Sequence, residues 1–188
     1  MGQAAEVEVD GRRARGLRKR EVIIDATLRI VERDGVAAIT HRAVAREADI
    51  PASSVCYYYA TLDDLLVAAL TEASEAYIVQ LRELVADGGD ALEGLARVIA
   101  EAGGPNRLRA LAERELTLLA SRRPALRPIA LRWRETVAEV ARHYTAEPRM
   151  VQGLVATADG MCARVLLGTE KLDVEEITAA LRHALRPA

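Results

Sequence analysis

The sequence predicts an all-α fold of about nine helices, on three observations. Apolar residues recur at spacings of 3, 4 and 7 along most of the 188 residues, and no stretch alternates as a half-buried strand does. The composition, with 35 Ala, 23 Leu and 24 Arg, is rich in residues that lose little side-chain freedom in a helical turn. Phe is absent and aromatic residues make up 3%, so aliphatic side chains must fill the interior.

The first helix is expected from about Arg18 to Asp34, with Ile23, Ala26, Thr27, Ile30 and Val31 on its inner stripe and Gly35 as its stop. Thr40 reads as the N-cap of a short helix reaching Ala48, its hydroxyl taking an orphan backbone N–H. Asp49-Ile50-Pro51 breaks the chain, and a second short helix follows to about Tyr57. Thr61, Asp63 and Asp64 open a long helix, Leu62 to Ala86, whose first-turn acids suit its positive end. Asp87-Gly88-Gly89-Asp90 is the sharpest compositional boundary. Further helices are expected over 91–102, from an Asn106 cap to about Arg122, from Pro124 to Tyr144, from Pro148 onward, and over about 174–185.

Missing chemistry narrows the function. His41, His143 and His183 lie far apart and join no nucleophile motif. Glu139 and His143, at i and i+4, lack the further inward carboxylates of a metal-binding bundle and read as a surface pair. No Gly-rich phosphate loop, CxxC or Cys/His cluster occurs, so no enzyme activity, cofactor or metal is expected. Cys56 and Cys162 are too few for a disulfide scaffold and read as small packed residues, with a redox sensor as the alternative. No apolar run approaches the roughly 18–20 residues that span a bilayer. The N-terminus opens polar, so a cytoplasmic protein without a membrane partner is expected.

The net charge of −2 points to no polyanion, but its distribution does. Residues 11–46 hold ten Arg or Lys against four acids, whereas 63–188 hold 16 against 19. Gly11 to Arg20 carries six cations and no acid, which fits a nucleic-acid arm and equally a solvated tail.

Two short helices joined by a tight turn, after a longer helix and beside a basic arm, describe a helix-turn-helix. Its second short helix carries Ala52, Ser53, Ser54, Cys56 and Tyr57, small and polar side chains suited to a groove; a merely structural helical hairpin is the alternative. The segment REVIIDATLRIVERDGVAAITHRAVAREADIPASSVCYYYATLDDLL resembles the N-terminal domain of TetR-family transcriptional repressors over roughly residues 20–66. Arg20, Ile23, Ala26, Ile30, Gly35, Thr40, Val44, Ala45, Ala48, Ile50, Tyr59 and Leu65 fall on that family's basic, apolar, Gly, Thr and aromatic positions. The stretches ASRRPALRPIALRW and DGMCARVLLG are similar to its C-terminal half.

The resemblance implies a basic, disordered arm at 1–17, a helix-turn-helix DNA-binding domain at 18–60 and a helical ligand-binding and dimerisation domain at 61–188. It implies a homodimeric repressor that binds a palindromic double-stranded operator and is released by a small-molecule effector. Thr40 would cap the second helix near a phosphate, and Arg42 would reach a base edge or phosphate, with an ion pair to Glu47 or Glu21 as its alternative. Ala52, Ser53, Ser54 and Cys56 would face the groove, Tyr57 and Tyr58 the sugar-phosphate, and Tyr59 the interior. The chain departs from the family pattern at Cys56 (usually aromatic), Asp49 (usually Gly) and Leu62 (commonly Lys). The Leu62 and Cys56 departures sustain a second reading, a helical small-molecule-binding or dimerisation module that has lost specific DNA binding.

In the C-terminal part the resemblance implies an effector pocket, with Tyr77, Glu115 and Trp133 as its candidate residues and ordinary packing as the alternative. Gly153 and Gly160 lie seven residues apart inside one helix, and each costs roughly 1 kcal/mol there relative to Ala, so they point to a close approach. With Val151, Leu154, Ala158, Cys162 and Val165 beside them, and Leu126, Trp133 and Val137 on the preceding helix, they form the expected dimer interface. Packing inside one subunit is the alternative.

Overall fold

The computed structural model describes residues 2–104, 106–168 and 172–186, with side chains from Ala14 onward. Among the described residues there are nine α-helices and two 3₁₀ turns and no strand, and the chain divides into two compact units, Met1–Ala69 and Leu70–Ala188.

In the first unit α1 runs Gly2–Asp34, so its start lies well before the expected Arg18 and the arm expected to be disordered is helical. No proline interrupts residues 2–34, and Ala, Glu and Arg favour continuation. The side chains of Arg12 and Arg13 lie outside the described residues. The inner stripe is as expected: Ile23, Ala26 and Thr27 are wholly buried and Ile30 and Val31 nearly so, with Thr27 Oγ1 donating to the Ile23 carbonyl at 2.8 Å. Gly35 stops the helix at φ 80, a backbone that L side chains rarely adopt, and a 3₁₀ turn, Val36–Ala38, follows. Next come α2, His41–Glu47, and α3, Ala52–Tyr58. Between them Asp49 takes φ 52, the left-handed conformation that the sequence demands of the residue replacing glycine.

The long helix α4, Leu62–Ala86, has the expected bounds and opens on a reciprocal cap: Asp64 N donates to Thr61 Oγ1 and Thr61 N to Asp64 Oδ2, both at 3.0 Å. The boundary between units falls inside this helix, not at the expected 60/61. Its first turns, with Leu65 and Ala69 wholly buried, belong to the first unit.

The second unit adds α5 (Ala91–Glu101), α6 (Arg107–Leu119), a 3₁₀ turn (Pro124–Leu126), α7 (Arg127–Tyr144), α8 (Pro148–Leu167) and α9 (Val174–Ala184). α5 packs on α9, α7 on α8 and α8 on α9. Leu95, Ile99, Val137, Leu154, Ala158, Ile177 and Leu181, all fully buried, make the core, and each large aliphatic contributes about 1.5–3 kcal/mol. Two expected caps differ. Asn106 makes no cap; its Nδ2 donates to Glu101 Oε2 at 3.1 Å instead. Pro124 opens a 3₁₀ turn, not the α-helix itself. Contrary to the sequence expectation, α8 is long and apolar enough by length and composition to cross a membrane. Leu154 and Ala158 nevertheless bury one side of it in the core of this unit.

Candidate nucleic-acid interface and ligand cavity

In the first unit, α2 and α3 pack against each other and α2 against α1. Thr40 caps α2, its Oγ1 accepting from Ala43 N at 3.0 Å. His41, which the sequence reading passed over, places Nε2 2.9 Å from the Tyr59 carbonyl and so ties the start of α2 to the end of α3. On α3, Val55 is fully buried and Tyr59 nearly so, which turns Ala52, Ser53, Cys56 and Tyr57 outward together, at i, i+1, i+4 and i+5. Tyr57 is 82% exposed, and a large ring left so bare has no role in this unit's own core. Ser54 and Tyr58 are half-buried. The Tyr57 and Tyr58 rings meet edge to face at 5.1 Å, and the Arg20 guanidinium lies over Tyr58 at 5.9 Å.

The alternative partner for Arg42 is occupied. Glu47 accepts from Arg29 Nε at 3.0 Å and Arg33 Nη1 at 3.1 Å, and these hydrogen bonds hold its carboxyl below the usual range. Arg42 is exposed and forms no ion pair with a described side chain, Glu21 included; Arg15, Arg18, Lys19 and Arg46 are likewise exposed and unpaired among the described residues. Glu47 and Asp34 are thus engaged by Arg29 and Arg33 of α1 and are not available to Arg42.

The second unit encloses a cavity of about 370 Å³ between α4, α5, α6, α7 and α8, within the roughly 300–1,000 Å³ of small-molecule sites. Tyr77 and Trp133 both line it, their rings edge to face with centroids 5.0 Å apart. Glu115 does not line it. Glu113 does, two residues earlier on α6, together with Arg109, Ala110, Arg114, Thr117 and Leu118 on one helical stripe. That stripe was the signal available in the sequence. Tyr77 Oη is buried with no hydrogen-bond partner among the described residues.

Most charges around the cavity are matched. Arg134 pairs with Asp159 at 2.9 Å, and Arg109 binds Glu72 at 3.2 Å and the Ala73 carbonyl at 3.2 Å. Glu113 forms no ion pair with a described side chain; it accepts from Thr117 Oγ1 at 3.0 Å. Burial pushes its carboxyl above the usual range, against the pull of Thr117 and Arg114. The Cys162 thiol, also on the cavity wall, is pushed up to about 12 by burial and then by Glu113. A thiol held protonated is a poor nucleophile, which disfavours a redox role.

The expected dimer residues separate into three groups. Leu126, Val137, Leu154 and Ala158 are fully buried, and Val151 and Val165 nearly so, within their own subunit. Trp133 and Cys162 face the cavity. Gly153 backs onto the Ala184 carbonyl, 3.6 Å from where a Cβ would stand, whereas Gly160 faces open space. Apolar periodicity located the buried face of α8, and that face belongs to the subunit's own core. The opposite face carries Gln152, Ala156, Gly160 and Leu167, all exposed, with Arg142 of α7 near Gln152; Leu131 of α7 is exposed as well.

Comparison with known proteins follows the same division. Residues 86–187 match the family described as Tetracyclin repressor-like, C-terminal domain. The chain is similar to a member of the TetR family, SCO1917 from Streptomyces coelicolor A3, at 42% identity over 89% of this chain and 98% of that one, with a TM-score of 0.79. It is similar to the multidrug binding protein EbrR complexed with imidazole, at 41% identity over 90% and 97% of the chains, with a TM-score of 0.75. The same protein complexed with ethidium matches at 42% identity over 88% and 96%, with a TM-score of 0.72. Other structures of EbrR hold malachite green and proflavin. No curated protein sequence matches the chain.

Proposed function

The chain belongs to the TetR family of transcriptional regulators, and from that membership we propose that it is a homodimeric, cytoplasmic repressor released from a palindromic operator by aromatic cations. The observation that carries the effector half is the cavity, where an edge-to-face Tyr77–Trp133 pair borders the half-buried Glu113, which has no ion pair with a described side chain. Aromatic faces attract cations, and a carboxylate in a low-dielectric wall completes the complement. Ethidium, malachite green and proflavin, held by EbrR, are of this class.

For DNA, the outward α3 residues Ala52, Ser53, Cys56 and Tyr57 suit the major groove, Tyr58 the sugar-phosphate beside it, and Arg42 a bidentate contact to guanine. Thr40 caps α2 near a phosphate, and the half-buried Ser54 lies at the edge of the groove-facing surface of α3. Two such units in a dimer read half-sites about 34–36 Å apart. The dimer seam we propose is the outward face of α8 with Leu131 of α7, since Ala156 and Gly160 let a second backbone approach closely. α4 carries Tyr77 in the cavity and follows directly on α3, which makes it the route from effector to reading head. A cavity ligand that drives the population from 1:99 to 99:1 must prefer the non-operator state by about 10⁴-fold. The reading as a module without DNA binding has only Leu62 and Cys56 in its favour, against a bare Arg42 and an exposed Tyr57.

A mobility-shift assay with the duplex flanking its own gene tests the reading. Retention of that duplex, lost steeply as salt rises, is expected. Equal retention of a scrambled duplex at physiological salt contradicts it.

A further inference from the structure

We infer that Glu113, where it is protonated in the empty cavity, gives up that proton to solvent when a cation binds, so that effector binding by this protein is a proton-for-cation exchange. The inference rests on reading the cavity as the effector site. Its geometry is the carboxyl on the α6 wall, bonded to Thr117 and lacking an ion pair with any described side chain, while the other acids of the cavity have partners. Asp159 is held by Arg134, and Glu101 accepts from Asn106.

The groups around Glu113 come from five helices: Tyr77 on α4, Glu101 on α5, Arg109 and Arg114 on α6 itself, Arg134 on α7, Asp159 and Cys162 on α8. Burial favours the neutral acid, and Asp159 adds to it; Thr117 and Arg114 oppose it without overturning it. Arg114 spends a guanidinium N–H on the Asp159 carbonyl at 3.5 Å, and Arg109 is committed to α4. Tyr77 and Cys162 are held neutral more firmly still. Glu113 is therefore the cavity group whose charge an entering cation can change most readily.

A cation entering the same desolvated space reverses the balance, since an opposite charge within a few ångströms favours the carboxylate. The step is Glu113–COOH plus ligand cation giving the carboxylate–cation pair plus one proton in solvent; no electron moves. Binding then strengthens as pH rises, by up to about tenfold per pH unit, and levels off above the pKa of the empty site. Below that pKa the cation must first displace the proton.

The test uses ethidium, a permanent cation, with the full chain and no DNA. Calorimetric titration at about pH 6 in two buffers of different ionisation enthalpy counts the protons released. Net release is expected from the wild type, with ethidium affinity rising with pH to a plateau. Glu113→Gln, which keeps an acceptor for Thr117 and resembles the neutral acid, is expected to release none and to bind with a flat pH profile. Ethidium binding with equal heats in both buffers and no pH dependence overturns the exchange and leaves the cavity reading standing. No ethidium binding by the wild type at any pH overturns the cavity reading and the exchange with it.

Discussion

Tyr77 of α4 and Trp133 of α7 meet at 89° with ring centroids 5.0 Å apart, two of the few aromatic side chains in a nearly aliphatic protein brought to one cavity wall. Trp133 is packed against the core on its other side, so the pair is held rigidly before any ligand arrives. Trp133→Leu keeps apolar bulk and removes the ring. Ethidium affinity, followed by dye fluorescence, is expected to fall about tenfold, the value of one good aromatic or cation–π contact. An unchanged affinity would place the dye elsewhere.

Arg42→Ala is expected to cost about 1–3 kcal/mol of operator affinity and to relax preference at one base pair. Arg42→Lys should not restore it, because an ammonium lacks the planar fork that holds two guanine acceptors together. Because Glu47 is engaged by Arg29 and Arg33, neither change should alter the melting temperature appreciably. Equal losses on operator and scrambled duplex would make Arg42 a phosphate contact only.

Gly160→Arg tests the seam. A Cβ at this position meets nothing within 4 Å, so the subunit accommodates the change and its circular dichroism is expected to stay the same. Two arginines facing each other across the dimer axis are not accommodated. Sedimentation should move to the monomer mass, and operator binding should be lost with it. A full dimer would move the seam to another face.

Asp90 joins the start of α5 to α9, accepting from the Leu92 and Glu93 backbone N–H groups and from Arg182 at 2.6 Å. Burial pushes its carboxyl up, but the Glu93 N–H and the Arg182 guanidinium outweigh it and hold it below its ordinary value. A depressed carboxylate contributes stability above its unfolded pKa and loses it as pH falls through the folded one. Asp90→Ala is therefore expected to cost about 0.5–2 kcal/mol at neutral pH, the value of a helix cap, and less in acid. Denaturant melts at two pH values read both. A loss that grows in acid would contradict the assignment.

Much of this was legible from local rules. The Thr40 and Thr61 hydroxyls, the bounds of α4 and the left-handed Asp49 all follow from constraints within a few residues. So did the inward Tyr59, from its place in the family pattern. What local rules could not supply was the partner of each apolar stripe. The periodicity of α8 marks Leu154 and Ala158 as buried, but a subunit's own core and a second copy impose the same period. Glu113 and Glu115 are alike in composition, and only the phase of α6 against Tyr77 and Trp133 separates them. The extension of α1 to Gly2 was missed because charge density was read as disorder, although no proline breaks the segment and its Ala, Glu and Arg residues offset Gly11 and Gly16.

The central claim, that a cavity ligand releases the operator, is tested most directly by fluorescence anisotropy of a labelled operator duplex held by the protein and titrated with malachite green. Wild type and Trp133→Leu are compared on the same DNA, so any direct effect of the dye on the duplex is common to both. The dye is expected to free the duplex from the wild type at a concentration about tenfold below that needed for the variant. Release at one and the same concentration from both proteins, or none from the wild type, would contradict the account.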